Sequence, residues 1–175
     1  ANASWSGRDT PALIATRSAW VPMWQSSTAH QRPSVTAESS SDPLSAATVE
    51  PIARLSMELQ DAALRAAPAL LVLDTDLVST VVYARHYYGS CPAWIEAEAR
   101  SRRADLYLLA APDLPWTPDG IRDRPTMRDE LFAAFGEALM EMDARVEVLR
   151  GTGSARTERA VSAVESLLAD LGARR

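Results

Sequence analysis

Ala69-Leu70-Leu71-Val72-Leu73-Asp74-Thr75-Asp76 is the stretch that decides the fold. Its apolar run is too short for a helix and has no polar interruption, so it reads as a strand buried on both faces of a parallel sheet. Outward from it, Ile52, Leu55, Leu59 and Ala63 recur at helical spacing behind Thr48 as N-cap and Pro51 in the first turn, and this helix is expected to end near Pro68. On the other side, helices are expected over Leu77–Tyr88, broken at Gly89, and over Trp94–Arg102. Leu106-Tyr107-Leu108-Leu109-Ala110 then reads as a second strand.

Pro112–Pro125 carries four prolines and several charges and reads as a long loop. Arg128–Met142 follows as a helix with Leu131, Phe135, Leu139 and Met142 on one face. Val146–Leu149 is a third strand. Gly151-Thr152-Gly153 turns the chain into a last helix, with Val161, Val164 and Leu168 as its buried stripe. The order of strands and helices predicts an α/β fold, a parallel sheet sandwiched by helices with right-handed crossovers.

A chain of 175 residues is long enough for one domain with a sizeable core. Residues 1–47 differ from the rest: Ser, Thr, Ala and Pro dominate and periodicity is weak, so they are read as an irregular or poorly ordered segment ahead of a 48–175 α/β domain. The net charge is -5, and all 18 basic residues are arginines. Net acidity without a long basic run excludes a nucleic-acid footprint. No apolar run approaches the ~18 residues of a membrane span. One cysteine, Cys91, excludes an internal disulfide framework and points to a reducing, cytoplasmic setting.

Ligands of open parallel sheets bind beyond the carboxyl ends of the strands. Asp74 and Asp76, the Pro112–Pro125 loop and Gly151-Thr152-Gly153 all fall there. A strand ending in Asp-x-Asp suits Mg²⁺ binding and acceptance of a hydroxyl proton during phosphoryl transfer. Arg122, Arg124 and Arg128 put three guanidinium groups on or beside one loop, where they can neutralise charge on a transferring phosphate. Trp116 offers a ring for stacking on a base. His30, His86 and Cys91 belong to no catalytic or zinc-binding constellation.

Leu70–Asp76, Tyr87-Tyr88-Gly89, Asp105–Leu109 and Pro112–Arg128 together follow, in order, the pattern of the bacterial ribosylnicotinamide kinases, a P-loop kinase family that this chain resembles over roughly 48–170. The resemblance implies a kinase that uses ATP and Mg²⁺ to phosphorylate a small-molecule nucleoside, nicotinamide riboside, in NAD salvage. It implies Asp74 or Asp76 as base, with Asp74 as the magnesium ligand, and Arg122, Arg124 and Arg128 as lid clamps. Trp116 and Asp119 would be substrate-facing lid residues, and Gly151, Thr152 and Gly153 would lie near the adenine.

The N-terminal part departs from that pattern. The family opens with a strand and G-x-x-x-x-G-K-[ST], whose backbone N–H groups cradle phosphates. Trp20-Val21-Pro22 matches the start of a later family segment and fixes a register, which sets Ser6-Gly7-Arg8-Asp9-Thr10 at the loop's position. Gly7 and Thr10 then agree, and Arg8 replaces the lysine. Read so, the first strand is missing, and a second copy or the 1–47 segment must cover the sheet edge thus exposed. A catalytically degenerate relative that binds or assembles, or a truncated form of an active parent, is the alternative expectation.

Overall fold

The computed structural model describes residues 12–18, 46–114 and 127–173. Among the described residues, four strands form one parallel sheet: β1 (Ala12–Ser18), β2 (Leu70–Asp74), β3 (Leu106–Ala110) and β4 (Val146–Leu149), in the spatial order β2-β1-β3-β4. The helices are α1 (Val49–Arg65), α2 (Leu77–Tyr88), α3 (Ala93–Ser101), α4 (Arg128–Glu141) and α5 (Gly153–Ala173). The parallel α/β architecture expected from the sequence is therefore present.

The central position expected to stand empty is filled from within the segment expected to be irregular. Ala12–Ser18 pairs with β2 from Ala12↔Leu70 to Thr16↔Asp74 and with β3 from Ile14↔Leu106 to Ser18↔Ala110. The reason is local as well as tertiary. Ala12-Leu13-Ile14-Ala15 is a short apolar run of the same kind as Leu70–Leu73, and without it β2 and β3 would each leave a row of backbone donors and acceptors unpaired. Ile14 and Ala15 are fully buried, on opposite faces.

The two faces are covered unequally. On one, α1, α2, α3 and α4 enclose a core that includes Ala15, Val81, Ile95, Tyr107, Leu109 and Phe135. On the other, α5 lies alone over Ala12, Ile14, Leu106 and Leu108, with Leu167 as its buried anchor. Leu131, Phe135, Leu139 and Met142 line up on the α4 side facing the sheet, as their spacing predicts. On the outer side of these helices Arg85 bridges Glu96 and Glu141 at 2.9 and 3.0 Å, a link between α2, α3 and the end of α4.

Three local expectations are corrected. β2 is not buried on both faces: it lies at the sheet edge among the described residues, and Val72 is 55% exposed. Leu55 and Leu59 of α1 face outward, and the buried positions are Val49, Ala53 and Gln60, set by the direction from which the sheet approaches the helix. In α5, Val161 and Leu168 are also outward, while Ala160, Ala163, Val164, Leu167 and Leu171 meet the sheet. Thr48 does occupy the N-cap position of α1, in a helical conformation and without a side-chain cap hydrogen bond.

Candidate functional site

Because all four strands are parallel, their carboxyl ends gather Asp74, Ala110 and Leu149 along one edge, followed by the turns into α2, the loop after β3, and the turn into α5. Two of those turns are described in full, and they are built differently.

At the β2–α2 turn, Thr75 takes φ +74° between the two aspartates. A β-branched residue in the left-handed region is strained, and the turn separates the fates of its neighbours. Asp76 swings inward as the N-cap of α2: its Oδ1 accepts from the Val78 amide at 2.8 Å, and its Oδ2 accepts from the Tyr107 hydroxyl at 2.9 Å. Tyr107 is fully buried, and its oxygen in turn accepts from the Ala104 amide at 3.1 Å. Asp76 is thus a buried structural carboxylate that satisfies a helix end and a core tyrosine.

Asp74 stays exposed at the end of β2, and its side chain makes no hydrogen bond or ion pair among the described residues. Of the two aspartates it is the one with oxygens open to a ligand. Magnesium keeps several waters and takes one or two carboxylates plus phosphate oxygens, so a single exposed aspartate fits as its protein ligand. No group of three or more His, Cys, Asp or Glu gathers for a metal among the described residues.

At the β4–α5 turn, Gly151 and Gly153 take φ +83° and +61°, conformations that favour glycine. The turn is held by a pair that sequence reasoning missed. Asp113 accepts from the Gly151 amide at 2.7 Å and from Arg156 Nη1 at 2.9 Å. Arg156 donates further to the carbonyls of Gly151 at 3.0 Å and Ala111 at 2.9 Å. The Gly151 N–H and then the Arg156 guanidinium hold the Asp113 carboxyl below its usual range. An acid in the first residues after one strand and an arginine in the first turn of the helix after the next strand is the only sequence signal for this clasp, and it is a weak one.

Arg128 stands at the start of α4 and donates from Nη2 to the Leu114 carbonyl at 2.9 Å, joining the two described ends of the loop after β3. Trp116, Asp119, Arg122 and Arg124, and Gly7, Arg8 and Thr10, lie outside the described residues. Of the sequence-nominated residues, the structure therefore brings Asp74, Asp76, Arg128 and Gly151-Thr152-Gly153 to one edge of the sheet. Cys91 lies away from it, in the α2–α3 connection. Burial, helped by Glu96, pushes its thiol up to about 11, which makes it a poor nucleophile at neutral pH.

The strand order and the helices on both faces of the sheet define a parallel α/β domain. A family model described as the AAA domain matches residues 29–156, well over half of the chain, and the chain belongs to that family. It is also similar to the trifunctional NAD biosynthesis/regulator protein NadR of Salmonella typhimurium, 32% identical over 82 residues. The match covers 47% of this chain and 20% of that relative, so the chain corresponds to about a fifth of the relative's length. No helix among the described residues is long and apolar enough to cross a membrane.

Proposed function

We propose that this chain is a nucleoside-kinase-type domain that binds ATP with Mg²⁺ at the carboxyl edge of its sheet and takes nicotinamide riboside as phosphoryl acceptor. The observation that carries the reading is the split between the two aspartates: Asp76 is spent on the fold, and Asp74 is left exposed at the edge where ligands of parallel sheets bind. Similarity to a protein of NAD biosynthesis supports the acceptor.

In this reading Asp74 holds magnesium and orients the acceptor hydroxyl. Magnesium, when bound, neutralises charge on the phosphate oxygens. Arg122 and Arg124 supply the clamp over the transferring group, with Arg128 fixing the base of their loop, and Trp116 and Asp119 face the nucleoside. Gly151-Thr152-Gly153 borders the base. Gly7, Arg8 and Thr10 are proposed as the phosphate-loop remnant.

A second reading, a domain that binds or assembles without catalysis, is favoured by a specific observation. A phosphate loop follows the carboxyl end of its strand. Here β1 ends at Ser18, directly before Trp20-Val21-Pro22, and Gly7–Thr10 precedes its amino end. The chain also has no lysine. Losing one preorganised electrostatic group costs about 10²–10³ in rate, and several are changed together.

Calorimetric titration with Mg-ATP, followed by an ADP-release assay with nicotinamide riboside, separates the two. Micromolar binding with turnover that Asp74→Asn lowers at least about a hundredfold supports the kinase. Binding without turnover supports the non-catalytic domain. Absence of binding removes the kinase and leaves only assembly with a partner.

A further inference from the structure

We infer that Arg156 is a positioning residue that, with Asp113, sets the shape of the Gly151–Gly153 turn and thereby its fit to a nucleotide base. The inference rests on the proposed ATP site and goes beyond it by assigning base recognition to a pair outside the loop arginines and the Asp74 corner.

The turn has little reason to hold its shape unaided. Two of its three residues are glycines, the residue type of greatest backbone freedom, and both stand at positive φ. What fixes it is a single guanidinium whose side chain is only 14% exposed. Arg156 reaches back over the first turn of α5 to the Gly151 carbonyl, across to the Ala111 carbonyl at the exit of β3, and to Asp113. Asp113 closes the ring by accepting from the Gly151 amide. The Ala111 amide meanwhile donates to the Leu149 carbonyl at 2.9 Å, so the exits of β3 and β4 are hydrogen-bonded just beneath the clasp.

A planar guanidinium serves these three acceptors from two nitrogens held in a fixed fork, whereas an ammonium would have to serve all three from one point. Both polar groups of the Gly151 backbone are thereby occupied, so Gly151 itself is a strut of the turn. Contact with a base falls to Thr152 and Gly153, whose orientation depends on that strut. A pair that served only overall stability has no need to converge on a glycine turn at the carboxyl edge of the sheet.

The test compares ATP with inorganic tripolyphosphate, each with Mg²⁺, on the full chain by calorimetry. Arg156→Ala is expected to weaken ATP by about tenfold, the effect of one or two lost hydrogen bonds. Tripolyphosphate, which has no base, should bind as it does to the wild type. Arg156→Lys and Asp113→Asn should fall between, and they carry the test if Arg156→Ala does not fold. Unchanged ATP affinity in folded variants, or equal loss for both ligands, overturns the inference and leaves the ATP site standing. A wild-type chain that binds neither ligand overturns the site and the inference together.

Discussion

The β2–α2 corner and the β4–α5 corner both end a strand on the same edge of the sheet, yet they spend their acidic groups in opposite ways. At the first, one of two aspartates is buried in the fold and its neighbour is left exposed. At the second, Asp113 is drawn from the neighbouring strand's exit to pin a glycine turn. The difference teaches that an acid after a strand is not a site by itself. What counts is whether its oxygens are already satisfied by the helix end, by a core hydroxyl or by a neighbouring backbone.

The largest effect is expected at Asp76. Asp76→Ala removes the N-cap of α2 and takes away the carboxylate that accepts from the buried Tyr107 hydroxyl, an expected loss of about 2–4 kcal/mol from the two effects combined. Thermal or urea unfolding measures it, and a loss under about 0.5 kcal/mol would mean that Asp76 is as dispensable to the fold as a surface acid. Tyr107→Phe keeps the ring but leaves the Asp76 oxygen and the Ala104 amide without the hydroxyl. About 1–3 kcal/mol is expected, and a double-mutant cycle with Asp76→Asn should show the two changes to be non-additive.

The second corner offers a pH test. The Asp113 carboxyl is held below its usual range by the Gly151 N–H and Arg156, so its contribution to stability is present above the unfolded value of about 3.9 and lost as pH falls through the lower folded one. The difference in melting temperature between the wild type and Asp113→Asn should therefore be constant from neutrality to about pH 5 and shrink on further acidification. A difference that grows toward acid would contradict the clasp. Smallest of all should be Asp74→Ala, within about 0.5 kcal/mol of wild type in stability, because nothing described in the structure leans on its carboxylate.

The same logic separates what was legible at the two corners before the structure. Asp74, Asp76 and the Gly151–Gly153 turn stand out in the sequence because strand ends and glycines are marked by composition and spacing. That Asp76 and Tyr107 meet is not marked, since the residues are 31 positions apart and only the fold makes them neighbours. Arg156 and Asp113 are 43 apart and equally unmarked. Asp113 was visible only as part of a proline-rich loop.

By itself the sequence determined the α/β class and the three strands after residue 48. Short apolar runs that alternate with 3.6-residue periodicity leave few other ways to bury their apolar side chains. It also determined the face of α4 that meets the sheet, because four large apolar residues fall on it. Ala12–Ser18 carries a short apolar run of its own, but tertiary structure decided that it takes the centre of the sheet, where β2 and β3 offer it partners on both sides. It decided which faces of α1 and α5 turn inward, because those helices carry apolar residues on more than one side and the sheet selects among them. And it decided which aspartate is buried and which is left exposed, because that depends on hydrogen bonds made between residues far apart in the chain.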